Sequence, residues 1–384
     1  MSAGKKRALI VLDCGLRWPT GMVRAMQFEP MFQRSDTWHA EFVSRHPEHI
    51  VRLLYHSGNS LGWRIFIRVV RPILTAYYDY WSNKQDKHIV KLASSVDVVC
   101  IVKSPSLPLY RRLVRLCGPR ILMDINDSLW LQKNGDWKEL DEMLTEVHGV
   151  ICECEYVAKY ARRFNSNVVV ISDAPQLEVF DRYRSEVRRD PEQIVLGWVG
   201  GGHNTGPLFK LLEPLEALFA RHPSLRLRVV GADPSRLPPF EKVLVSCLPT
   251  YSQEDMVREV LGFDIGLFPL FRNDDGRGRG TLKAKIYMSG EAVAVCENYG
   301  ENPGLIKDGI NGVLVSSPEE WYERLEWLIT HREERIALAR RGLEHIRSEF
   351  SARHVFARIL ATYELALDSS LATTSTADVH PATN

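Results

Sequence analysis

IVLGWVGGGHNT, residues 194–205, opens with a short apolar run that stops at three glycines. A run of this length suits a strand covered on both faces. An amphipathic stretch with helical spacing follows at 208–221, and LRLRVVG at 225–231 reads as the next strand. Strand, glycine turn, helix and strand in series form the unit of a parallel sheet clad with helices. The same alternation already fills the chain before residue 180, so at 194 it starts a second time.

Working outward towards the C-terminus, the pattern predicts strands at 243–247, 264–269 and 292–296 and helices at 252–261, 281–289, 319–330 and 332–350. Ser252 suits a helix N-cap. A last helix opens at Ser351 and runs to about 367, and the Ser/Thr/Ala-rich residues 369–384 read as a disordered tail. Towards the N-terminus, DRYRSEVRRDPEQ at 181–193 has no apolar period and reads as a linker. Before it come strands at 7–13, 50–55, 96–102, 120–124, 149–154 and 167–171, with helices at 21–32, 107–116 and 155–164. The expectation is an α/β protein of two doubly wound Rossmann-like domains. Residues 1–180 form the first, 181–193 the linker and 194–350 the second, and the helix 351–368 crosses back to the first. Ligands of such sheets lie beyond the carboxyl ends of the strands, which directs both domains towards one cleft.

At 384 residues the chain exceeds a single core, and its net charge of +1 gives it no overall pull on polyanions. Nucleic acid is therefore a disfavoured partner. The seven cysteines are odd in number and mostly sit in apolar runs, such as Cys100 in VDVVCIV and Cys152 and Cys154 in GVICEC. They read as buried thiols of a reducing compartment. No spacing suggests a metal site, so no metal or other cofactor is expected. MSAGKKRALIVLDCGL does not read as a signal peptide and no stretch is long enough to span a bilayer, which together predict a cytoplasmic protein.

Three segments carry chemistry. Gly200, Gly201, Gly202 and His203 lie between a strand and a helix, where a phosphate can approach the backbone; a tight turn is the plainer alternative. DDGRGRGTLKAK, residues 274–285, places Arg277, Arg279, Lys283 and Lys285 at a strand's carboxyl end. Fixed cations there can stabilise the charge of a departing diphosphate, although a solvated basic loop would have the same composition. ENYGENPGLIKDGINGVL, residues 297–314, is rich in Gly and Asn and can grip hydroxyls through its backbone, or simply turn.

With these segments in order, residues 7 to about 367 resemble the group 1 (family 4) glycosyltransferases. The best part is GRGRGTLKAKIYMSGEAVAVCENYGENPGLIKDGINGVLV, with support from RILMDINDSLW and VICECEYVAKYARRFNSNVVVISDA. The resemblance implies the GT-B fold and a retaining, metal-independent transfer of sugar from a nucleotide-diphosphate sugar to an unidentified acceptor such as a glycan or lipid-linked glycan. It assigns Arg279 and Lys283 to the diphosphate, with Arg277, Gly201, Gly202 and His203 nearby. Asn302, Pro303, Gly304 and Leu305 would border the donor. Asn126 and Asp127 would face the transferred sugar, and loop 13–21 would floor the cleft. Gly278 and Ile286 stand where many members carry two glutamates, Gly304 stands at another common glutamate, and Glu291 at a usual glycine. A GT-B-like scaffold without turnover is therefore an alternative, and transfer to a modified DNA base is another.

LGWRIFIRVVRPILTAYYDYW, residues 61–81, mixes aromatics and aliphatics with Arg64, Arg68 and Arg71. It reads as a helix broken at Pro72 that packs into the core or a partner, or lies peripherally on an anionic membrane.

Overall fold

The computed structural model describes residues 4–368 apart from 14, 17–18, 47–48, 50–60, 104–105, 118–119, 132–137, 241–244 and 249–251. The strand expected at 50–55 and the tail 369–384 lie outside the described residues. By contact the chain divides into two units, Met1–Ile171 with Phe356–Asn384, and Ser172–Val355.

The first unit holds β1 (Lys6–Leu12), β2 (Trp38–Ser44), β3 (Val98–Val102), β4 (Ile121–Ile125), β5 (Gly149–Cys152) and β6 (Val168–Val170). They form one parallel sheet in the order β2-β1-β3-β4-β5-β6. The strands from β3 to β5 are buried along their whole length because helices cover both faces. Leu9, Val11, Ile101 and Met123 share a core with Leu113 and Met143 from the covering helices. β2 was not legible in the sequence. WHAEFVS alternates, with Trp38 and Ala40 buried and His39 exposed, as an edge strand covered on one face does. The helix expected at 21–32 is three pieces, Pro19–Arg24, a 3-10 turn Met26–Phe28 and Glu29–Arg34. Pro30 starts the last piece, where its missing N–H costs nothing.

The helix Leu61–Ala93 runs through Pro72 without interruption, contrary to expectation. Pro72 is exposed, so water can satisfy the carbonyl its ring leaves without a donor. Of this helix, Ile89 and Ala93 enter the core, while Ile65, Val69 and Ile73 are exposed. No helix among the described residues is long and apolar enough to cross a membrane.

The second unit holds β7 (Ile194–Val199), β8 (Leu225–Val230), β9 (Val245–Leu248), β10 (Ile265–Phe268), β11 (Val293–Glu297) and β12 (Val313–Val315). All are parallel, in the order β9-β8-β7-β10-β11-β12. This order reverses direction between β7 and β10, and a crevice opens at such a point. β12 is too short to have been picked out of the turn-rich 297–314.

Residues 181–193 are not a free linker, and the first unit ends at Ile171 rather than near 180. Leu177, Phe180 and Tyr183 of the helix Leu177–Tyr183 lie in the second unit's core. The Arg184 guanidinium donates to the Ser289 carbonyl at 2.8 Å, and Arg189 donates to the Gly290 and Glu291 carbonyls at 2.7 and 2.8 Å. Charges that look solvated in the sequence are spent on the carbonyl end of the helix Leu282–Ser289, where cations are favoured. From Phe356 on, the last helix Ala352–Leu367 groups with the first unit, where Phe356 packs edge-on to Phe32 at 4.8 Å and Tyr363 to Trp38 at 5.6 Å.

Candidate functional site

In the second unit β7 and β10 pair only at Leu196 with Ile265 and Gly197 with Gly266. Beyond that the buried Tyr287 hydroxyl wedges them apart, accepting from Val199 N at 3.1 Å and donating to Leu267 O at 3.0 Å. Lys283 lies one turn earlier on the same helix face as Tyr287. It therefore stands over the mouth of the gap that Tyr287 holds open.

The Lys283 ammonium is 4.5 Å from the Trp198 ring centroid and 5.5 Å from that of Phe268, the aromatics of β7 and β10. A Cβ on Gly200 would stand 2.8 Å from Nζ and 2.7 Å from the Trp198 ring, so only glycine lets the lysine reach this backbone. Among the described residues no carboxylate pairs with Lys283. Burial, then the Arg279 charge, push its pKa down to about 7. A cation this poorly compensated, at a glycine turn and in a helix's first turn, is a seat for an anion.

The other expected cations separate. Arg279 is held bidentately by Asp275, with distances of 3.0 Å to both oxygens. Arg277 lies 3.7 Å from Asp274 and 5.7 Å over the Tyr299 ring. Lys285 is fully buried and faces away, donating to Ser172 Oγ at 2.6 Å and Asp173 O at 2.8 Å with the Phe350 ring 4.2 Å off. It belongs to the packing and leaves the basic cluster. Gly276 is forced, because a Cβ there would lie 1.9 Å from the Phe271 carbonyl oxygen.

Gly201 and Gly202 open a 3-10 turn closed by Asn204 N to Gly201 O at 2.8 Å; the His203 side chain lies outside the described residues. Arg236, unmarked in the sequence, lies beside this turn, its Cδ 3.4 Å from where a Gly202 Cβ would be, with no carboxylate bonded to it among the described residues. Asn302 is buried and donates to the Glu297 carbonyl at 3.0 Å, while its Oδ1 has no partner among the described residues. Pro303 and Gly304 are exposed and Leu305 is buried in the core, so only backbone and open space are offered there. Glu297 was also unread. It is buried between Lys210 at 2.9 Å and Arg272 at 3.1 Å, an ion triad that fixes the loop after β10. Gly278 caps the helix Asp274–Arg277 and Ile286 packs against the core.

In the first unit the strand order reverses between β1 and β3. A cavity of about 600 Å³ lies at that end, with Asp13, His46, Ser82, Asp86 and Lys103 in its wall. His46 Nε2 is 3.3 Å from Asp13 Oδ1, its Nδ1 is 2.8 Å from Ser82 Oγ, and its ring stacks on Tyr78 at 4.4 Å. Arg45 pairs with Asp86 at 2.9 Å. Beyond β4, Asp124 is taken by Arg24 at 2.8 Å and Asp127 pairs with Lys103. The buried Oδ1 of Asn126 and Oγ of Ser128 have no partner among the described residues. Of loop 13–21, Asp13 reaches the cavity, while Cys14, Arg17 and Trp18 lie outside the described residues. Among the described residues no three His, Cys, Asp or Glu gather to hold a metal ion.

Residues 210–361 match the glycosyl transferase-like family model, and no curated protein matches the sequence significantly. A glycosyltransferase from Rickettsia africae is 13% identical with a TM-score of 0.67, over 96% of this chain and all of that one. The chain has the GT-B fold, and its residues 210–361 are similar to the glycosyl transferase-like family. HepE of Anabaena, in complex with UDP and glucose, superposes with a TM-score of 0.63 at 12% identity over 94% of this chain and 100% of its own. A UDP-forming α,α-trehalose-phosphate synthase from Burkholderia xenovorans gives 0.64 at 12%, over 95% and 100%. The family match over residues 210–361 and the fold agree on glycosyl transfer, and at the crevice between β7 and β10 Lys283 is the cation that no described carboxylate pairs.

Proposed function

We propose that this GT-B protein transfers a sugar, with retention and without a metal, from a nucleoside-diphosphate sugar to a hydroxyl acceptor. The observation that carries the reading is Lys283, an ammonium that no carboxylate pairs among the described residues, over the β7–β10 gap at the bare Gly200 backbone. Charge builds on the diphosphate as the glycosidic bond breaks. A cation already stripped of water and held by aromatic rings meets that charge without reorganising. Arg236 on the other side of the Gly202 turn adds a second positive charge, and Arg279 can swing from Asp275 to add a third. These charges do for the leaving group what a divalent ion would do elsewhere. The retaining outcome rests on the family resemblance. The first-unit cavity, with acids and His46 at the sheet's switch point, suits a polyhydroxylated acceptor. Because HepE is described with UDP, uridine donors are the first to try.

Calorimetric titration with nucleoside-diphosphate sugars, with and without EDTA, tests the donor site. Binding that EDTA leaves unchanged supports the reading, and no binding by any nucleotide sugar removes it. Proton NMR of the product's anomeric signal then decides retention. Gly278 and Ile286 supply no carboxylate where many relatives have one, which favours a second reading, binding without transfer. Donor binding with neither hydrolysis nor transfer would select it.

A further inference from the structure

The first half of the helix Leu61–Ala93 presents to solvent what most helices hide. Ile65, Val69, Ile73 and Tyr77 recur at every fourth residue and so share one face; they are 56%, 69%, 72% and 39% exposed. Tyr80, 64% exposed, extends the same face. Val70, Leu74 and Tyr78, on the adjoining side, are the half-buried ones that seat the helix on its unit. Arg68 edges the apolar face and Arg71 lies further round the helix; both are exposed and without an ion-pair partner among the described residues. One turn beyond Tyr80 the face continues into exposed Lys84 and Lys87. From residue 61 to 78 the sequence has no acid at all. Asp86 is already neutralised by Arg45.

An apolar stripe of about 20 Å, edged by Arg68, ending in tyrosines and continued by Lys84 and Lys87, is exposed and covered by no described part of the chain. Its chemistry matches one surface: aliphatic side chains for acyl chains, tyrosines for the polar boundary, and arginines and lysines for anionic headgroups. We propose that this face docks the protein peripherally on an anionic lipid surface. The helix then lies in the plane of the interface, and the cavity beside its Tyr78–Asp86 stretch opens close to the headgroups. A lipid-linked hydroxyl is the acceptor class this placement would deliver. That last step rests on the transfer proposed above, whereas the docking itself does not.

The test is flotation of the full chain with vesicles of phosphatidylglycerol and phosphatidylcholine against vesicles of phosphatidylcholine alone. The expected result is flotation with the anionic vesicles only, falling as salt rises. Val69→Glu with Ile73→Glu, and separately Arg68→Glu with Arg71→Glu, should each abolish it. These side chains are exposed, so melting temperature and nucleotide-sugar binding should be unchanged in both variants. That second readout keeps a failed docking face distinct from a failed donor site. No flotation with anionic vesicles, or flotation undiminished in both variants, overturns the proposal. So does a concentration-dependent dimer, seen by light scattering, that the Val69→Glu, Ile73→Glu variant dissolves, since the face would then belong to a second copy.

Discussion

Replacing Lys283 by alanine probes the centre of the donor site directly. Among the described residues its ammonium meets aromatic rings and the Gly200 backbone, and its pKa is pushed down to about 7 by burial and by Arg279. A charge-assisted hydrogen bond to phosphate contributes about 1.5–3 kcal/mol. At neutral pH the free group is about half protonated, so recharging it on binding costs only about 0.4 kcal/mol and does not cancel that gain. Lys283→Ala should therefore raise the dissociation constant of a nucleoside-diphosphate sugar about 10- to 150-fold. The pKa also fixes the sign of a pH dependence. The bound diphosphate favours the charged lysine, so binding takes up a proton above about pH 7, and affinity should fall by up to about tenfold per pH unit there. Calorimetry in two buffers of different ionisation heat measures both quantities, with a nucleotide sugar whose diphosphate keeps its charge over this range. Equal affinity for parent and variant, or affinity flat from about pH 6 to about pH 9, would refute the assignment. Stability supplies an independent sign. The unfolded lysine keeps its proton to higher pH, so the folded group costs stability fully below about pH 7 and less as pH rises towards about 10. Lys283→Met should accordingly melt higher than the parent at pH 6, the gap closing at alkaline pH.

Arg279→Ala should weaken donor binding by less than Lys283→Ala, about tenfold at most, because Asp275 already holds that guanidinium; an effect as large as that of Lys283 in the same titration would show the pairing is broken in the bound state. Glu291 has φ of 59°, the left-handed region, and among the described residues its side chain makes long ion pairs of 3.5 Å to Arg184 and 3.9 Å to Arg340. Glu291→Gly should relieve about 1 kcal/mol of strain and raise the melting temperature by about 2–4 °C in calorimetry; a fall would mean that the pairs outweigh the strain. Lys285→Ala removes two charge-assisted bonds at Ser172 and Asp173 and should cost about 3 kcal/mol in urea unfolding, whereas a donor-binding role would leave stability unchanged.

Much of the fold could be read before any coordinates. Apolar runs bounded by glycine, such as IVLGWV before Gly200, become buried parallel strands because both sheet faces are covered and no polar residue fits. The Ser252 N-cap was legible for the same local reason, and the structure adds Asp255, three residues on, as the other half of a capping box. The strands that escaped, β2 and β12, are edges, where alternation or brevity hides the signal.

The sequence by itself determined the class, the repeated strand–helix plan and the segments that approach an anion, because each depends on neighbours along the chain. Which cations serve the site was decided only by the tertiary structure. Arg277, Arg279, Lys283 and Lys285 look alike within nine residues, yet Asp274 and Asp275 attend the two arginines, Ser172 and Asp173 take Lys285, and Lys283 alone is left facing the gap. Folding likewise turned the charged 181–193 into a clasp for the end of the helix Leu282–Ser289 and brought Arg236 to Gly202 from a strand away. A side chain's charge is written in the sequence, but the groups that neutralise it or leave it free come from distant parts of the chain, and their distances exist only once the sheet is formed.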